Sequence, residues 1–256
     1  MKKIVLTVLL ALLTATGMFA QQTKREIPED TTATKTYKPF DFNLQVKTMH
    51  LWKGLRVTDA PMTAADIHYT TRNGNFKAGV WGGYGINGDY TEFDYYLSYT
   101  LNQWSLSVWD INNFSDYPDA KIFDYKKGST SHFVDVTLAY QFKPIPLKLS
   151  WSTIVLGRDF YTNDAGELKQ AFSNYVEASY TFLQKQDWSL GAFVGGVFSF
   201  TNEANFYGDH TNFTNIGFVY NKNVKVLKDY SLPFSATAMW NPEKDYGALQ
   251  VAVNLF

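Results

Sequence analysis

Glu92-Phe93-Asp94-Tyr95-Tyr96-Leu97-Ser98-Tyr99-Thr100-Leu101, then Asn102-Gln103, then Trp104-Ser105-Leu106-Ser107-Val108-Trp109, is the stretch that decides the fold. Side chains of an extended chain alternate between two faces. Phe93, Tyr95, Leu97, Tyr99 and Leu101 therefore share one face, and Glu92, Asp94, Tyr96, Ser98 and Thr100 the other. After a two-residue reversal, Trp104, Leu106 and Val108 resume the apolar face against Ser105, Ser107 and Trp109. The pattern predicts an antiparallel hairpin whose strands are long enough, at about nine to eleven residues, to cross a bilayer.

The same period runs outward in both directions. Upstream, Phe42, Leu44, Val46, Thr48, His50 and Trp52 oppose Asn43, Gln45 and Lys47; Ala65, Ile67 and Tyr69 oppose Asp66, His68 and Thr70; Phe76, Ala78, Val80 and Tyr84 oppose Lys77, Gly79, Trp81 and Gly83. Downstream, the apolar faces are Val134 to Phe142, Leu147 to Val155, Val176 to Phe182, Leu190 to Phe200, Ile216 to Tyr220, Leu232 to Trp240 and Leu249 to Leu255, with Phe193 and Val197 blurring the fourth of these. Polar faces carry residues such as Asp135, Lys148 and Glu177. Twelve alternating segments result, an even number.

Connections separate a barrel from a sandwich. Those after even-numbered segments are tight, at Arg72–Asn75, Asn102–Gln103, Lys143–Pro146 and Gln184–Asp187, with the fifth, Val224–Tyr230, less compact. The others are longer: Trp52–Met62, Phe114–Ser131, Arg158–Ala171 and Thr201–Asn212. Short turns at one end and long loops at the other match a closed antiparallel transmembrane β-barrel, turns in the periplasm and loops outside. Closure leaves no edge, the condition for strands to face lipid.

Composition agrees. Aromatic residues make up 17% of the chain while mean hydropathy is −0.24, as when rings face lipid and polar residues line the interior. Trp52, Tyr84, Tyr99, Trp104, Tyr140, Tyr180, Trp188, Tyr220, Tyr230 and Trp240 lie toward segment ends, where girdles are expected.

Residues 1–20 read as a signal peptide: Lys2 and Lys3, an apolar core Ile4–Leu13, and Ala20 before Gln21. Residues 21–39 read as a flexible periplasmic lead-in, and 40–256 as the barrel. Loss of the two lysines takes the formal charge from −1 to −3, which argues against nucleic acid as a partner. There is no cysteine, so disulfides and thiolate metal sites drop out. No later stretch holds eighteen consecutive apolar residues. Phe256, following an alternating strand, resembles the C-terminal signal read by the outer-membrane assembly machinery, one residue out of phase with Leu249, Val251, Val253 and Leu255.

Catalysis is not expected. None of His50, His68, His132 and His210 has a Ser two residues away, as a lipid-facing hydrolase would require, no two stand at metal-ligand spacing, and no Gly-rich phosphate loop occurs. No cofactor is expected. The polar faces supply the candidate lumen lining: Lys47, Asp66, His68, Lys77, Glu92, Asp94, Asp135, Lys148 and Glu177. Both signs are interspersed, as in a pore that orients a small polar solute or a salt-bridged plug. Charged loop stretches near Asp116–Lys127 and Arg158–Lys169 read as solvated.

Met49-His50-Leu51-Trp52-Lys53-Gly54-Leu55, then Pro61, Phe76-Lys77-Ala78-Gly79-Val80-Trp81-Gly82 and Glu92–Tyr99 resemble the TorF-type porin family, mainly over Phe42 to Trp109, with Lys53 where Arg is commoner. The resemblance implies an outer-membrane barrel of unassigned substrate in a Gram-negative bacterium. The expected function is passive diffusion of small polar solutes, and the expected partners are the lipid bilayer, lipopolysaccharide and the assembly machinery. The alternatives are a non-conducting structural or adhesive barrel whose loops bind a partner and, more remotely, a lipid-facing enzyme.

Overall fold

The computed structural model describes residues 37–117, 121–228 and 230–256. The expected signal peptide and most of the expected lead-in lie outside them. Among the described residues sixteen strands form: β1 (Phe40–Lys47), β2 (His50–Trp52), β3 (Leu55–Thr58), β4 (Met62–Thr70), β5 (Phe76–Gly85), β6 (Thr91–Leu101), β7 (Trp104–Asn112), β8 (His132–Gln141), β9 (Leu147–Gly157), β10 (Phe160–Thr162), β11 (Leu168–Gln170), β12 (Ser173–Gln184), β13 (Trp188–Ser199), β14 (Asn212–Leu227), β15 (Tyr230–Asn241) and β16 (Tyr246–Asn254). Twelve close a barrel in the order β1-β16-β15-β14-β13-β12-β9-β8-β7-β6-β5-β4, every neighbouring pair antiparallel. β2–β3 and β10–β11 are separate small hairpins.

The alternation read from the sequence sets which way each wall residue points. Leu97, Tyr99, Leu101, Trp104, Leu106, Leu138, Leu149, Trp151, Phe218 and Leu249 stand exposed on the outer face. In water so many exposed apolar side chains would be costly at about 25 cal/mol per Å2, whereas hydrocarbon accepts them. Tyr84 and Trp240 mark the loop end of this face, and Tyr99, Trp104 and Tyr230 the turn end. The Phe256 ring lies 6.0 Å from that of Phe42; it lies past the end of β16, so the last ring returns to the outer face despite its phase.

Three expectations are corrected. The first alternating segment does not run to Trp52 as wall: β1 stops at Lys47 and the chain turns into the lumen, Trp52 leaving the expected girdle for the interior. The bend follows Thr48, whose Oγ1 accepts the Val251 N–H (3.0 Å) while its own N–H bonds the Val251 carbonyl (2.9 Å). Second, the link expected to be loose, Val224–Tyr230, is short, because β14 continues to Leu227 against Tyr230. Third, two of the long connections carry hairpins of their own. Of the two residues that blur the period of β13, Val197 faces inward and is almost fully buried.

The packed core sits inside the loop end of the barrel. Ile111, Phe133, Ile154, Tyr175 and Val197 project from β7, β8, β9, β12 and β13, and Tyr207 of the 200–211 loop drops among them; Trp52, Leu55, Trp109 and Phe206 pack around this cluster. A second cluster joins Met62, Ala64 and Tyr90 to Val57 and Trp81.

Candidate functional site: a constricted, charged lumen

The β2–β3 hairpin builds the constriction. Trp52 pairs with Leu55 across a two-residue turn, Lys53-Gly54, in which both residues have positive φ (49° and 84°), as a type I′ turn requires. Glycine is obligatory at the second position for another reason: a β-carbon on Gly54 would stand 2.1 Å from the Thr214 carbonyl oxygen. The hairpin is tied to the wall beside β1, on β15 and β16. The Gly54 carbonyl accepts from Asn241 Nδ2 (2.9 Å) and from the Tyr246 hydroxyl (2.8 Å), and Leu51 N–H donates to Gln250 Oε1 (3.0 Å). Lys53 reaches across to Asp135 on β8 at 2.5 Å, with side chains 14% and 4% exposed, and lies over the Trp52 ring. Both members being buried, this pair fixes where the hairpin sits.

Beside the hairpin, at the loop end of the barrel, a cavity of about 840 Å3 remains. Its walls combine rings, among them Trp52, Trp81, Trp109, Phe133 and Phe206, with cations (Lys47, Lys53, Arg56, Arg158, Lys244) and carboxylates (Asp59, Asp89, Glu92, Asp94, Asp116, Asp135). Lys47 Nζ lies 3.3 Å from His50 Nδ1 and 5.6 Å from the Trp81 ring centre. The Arg158 guanidinium rests among rings, 5.2 Å from Phe133, 5.7 Å from Phe206 and 5.8 Å from Tyr117, and its buried Nε has no hydrogen-bond partner. Asp94 accepts the Asn112 N–H at 3.0 Å.

Of the nine lumen candidates from the sequence, the structure gathers Lys47, Glu92, Asp94 and Asp135 around this cavity. Glu177 sits close by but is engaged, accepting the Tyr175 hydroxyl and Asn215 Nδ2 (3.2 Å). Asp66 and His68 hydrogen-bond one another on β4, and Asp66 also accepts the Tyr96 hydroxyl at 2.8 Å. Lys77 and Lys148 lie toward the turn end, in register with Ser98 and Gln141, and do not join the cavity.

Sequence reading missed Trp52, Lys53, Arg158, Phe206 and Tyr207. Lys53 and Arg158 read as loop residues, and nothing local says that a loop folds inward. One signal was present: Ile111, Phe133, Ile154, Tyr175 and Val197 put bulky residues on the otherwise polar phase at the loop end of five wall strands. A polar lumen has no use for them unless another apolar surface descends to cover them.

A closed, twelve-stranded antiparallel barrel, apolar outside and charged within, defines the class: a transmembrane β-barrel. Among solved structures the chain is similar to the NanC porin, at 8% identity and a TM-score of 0.49 over 84% of this chain and 98% of that one. It is also similar to the KdgM porin (10%, 0.42, 83% and 96%) and to an outer-membrane channel from Pseudomonas putida F1 (10%, 0.47, 84% and 93%). The likeness extends to the barrel alone. No protein-family model matches the chain, and no curated protein matches it.

Proposed function

We propose that this chain is an outer-membrane channel, without enzymatic activity, for the passive diffusion of small polar solutes. The observation that carries the reading is the cavity beside the β2–β3 hairpin, a space of about 840 Å3 lined by charges of both signs inside a closed barrel. A barrel serving only as an anchor has no need of charged groups around open space, since each costs desolvation unless water or a solute meets it. The loop–turn asymmetry supports an orientation with the hairpin on the external side and the turns in the periplasm. The resemblance of Met49–Leu55 and Glu92–Tyr99 to the TorF-type porins supports the same reading, as does the outer apolar belt, which suits a bilayer carrying lipopolysaccharide and delivery by the assembly machinery.

Reconstitution in liposomes tests it. Protein that shifts mobility on heating, the mark of a folded barrel, should swell liposomes in small sugars and amino acids and give discrete conductance steps in a planar bilayer. Folded protein that does neither would remove the channel and leave an adhesive or structural barrel.

A further inference from the structure

Among the charged groups around the cavity, some are already satisfied and some are not. Lys53 and Asp135 neutralise each other. Lys47, Arg158, Glu92 and Asp94 form no ion pair among the described residues, yet all four line the same space, to which Arg56, Lys244, Asp59, Asp89 and Asp116 add charges of both signs. Arg158 is near enough for its field to act on Glu92, and its Nε is buried without a partner. Rings flank both cations, Trp81 beside Lys47 and Phe133 and Phe206 beside Arg158, and Trp109, stacked on Tyr96 at 4.2 Å, lines the same cavity.

An anion entering this space meets Glu92 and Asp94, and a cation meets Lys47 and Arg158. Like charges in a low-dielectric lumen repel strongly, so a solute of either single sign gains one contact and loses another. A solute carrying both signs a few bonds apart satisfies each. A guanidinium fork takes a carboxylate in two parallel bonds, and a carboxylate takes an ammonium. The rings accept an apolar remainder or the face of the ammonium.

We propose that the cavity is a selectivity site for small zwitterions of the α-amino-acid class, the solute carboxylate on Arg158 and Lys47 and its ammonium on Glu92 and Asp94. The proposal rests on the reading of the lumen as a passage for solutes, and deepens it.

Two measurements on the full-length folded barrel keep the two readings apart. In liposome swelling, alanine should enter several-fold faster than lactate or ethanolammonium, which match its size but carry one sign. Arg158→Gln and Glu92→Gln should each reduce that preference at least threefold, whereas Lys121→Gln, on an exposed loop, should not. In detergent, alanine and leucine should change the fluorescence of the cavity tryptophans saturably, and lactate should not. Conductance in potassium chloride without a zwitterion preference and without a saturable signal overturns the amino-acid site and leaves the channel standing. A saturable signal from a folded but silent barrel keeps the site and removes the passage. A preference for lactate that survives Glu92→Gln also overturns the proposal.

Discussion

Lys53 holds the constriction in place through one ion pair. Its stem packs on Trp52 and its ammonium meets Asp135, both largely withdrawn from water. Removing one member of such a pair leaves the other buried and uncompensated, a loss of about 3 kcal/mol. Lys53→Met should therefore lower the urea midpoint for loss of the heat-modifiable form, and Lys53→Met with Asp135→Leu should recover most of it. A single variant as stable as the parent would mean that the hairpin is held by Gly54 and its hydrogen bonds alone. At the mouth, neutralising Glu92 and Asp94 should lower the preference for potassium over chloride in reversal-potential measurements, and an unchanged ratio would remove these carboxylates from the ion path. At this scale the sequence was partly legible. Period-two alternation places Glu92, Asp94 and Asp135 on the lumen side because strand geometry leaves no other choice. It says nothing of Arg158, because a residue just beyond a strand is oriented by loop packing.

At the scale of elements, the two inward segments are held differently. The β2–β3 hairpin is latched by bonds to β8, β15 and β16, whereas the 200–211 loop is seated by the Phe206 and Tyr207 rings, by the Phe206 N–H on Ser173 Oγ (2.8 Å), by the Thr201 hydroxyl on the Ala171 carbonyl (2.8 Å) and, at its far end, by one carboxylate. Glu243 accepts from Asn212 Nδ2 (2.7 Å) and from the backbone N–H groups of Asp209 (2.9 Å) and His210 (3.0 Å). Burial works to raise its pKa, but these hydrogen bonds together hold it below the ordinary 4.5. A carboxyl depressed on folding stabilises the folded loop above its unfolded pKa, and that stability is lost as pH falls through the lower folded value. Amide exchange at residues 205–212 should therefore speed up below about pH 4 relative to pH 7, and Glu243→Gln should abolish the dependence. Acid-insensitive exchange in the parent would show that the rings and the bonds to Ser173 and Ala171 seat the loop without Glu243. The wall strands were legible in the sequence because each repeats a two-residue period over most of its length. The hairpin was not, because Thr48, His50 and Trp52 continue the period of β1 with no break at the point where the chain leaves the wall.

For the whole molecule, closure explains why the outer face can be apolar and the inner face charged in one chain of modest hydropathy. Each wall strand pairs on both sides, so no backbone edge is offered to lipid. Strand number, loop asymmetry and outer belt follow from the alternation and were visible without coordinates. The filling of the loop end was not, since it depends on contacts between residues as distant in sequence as Trp52, Phe133 and Tyr207. What results is a barrel narrowed by its own first loop. Single-channel conductance tests this, with the parent beside a variant in which residues 50–58 are replaced by a short Gly-Ser linker, both first shown to be heat-modifiable. The parent should give small steps and the variant steps several-fold larger. Equal conductance, or silence from both folded proteins, would contradict it.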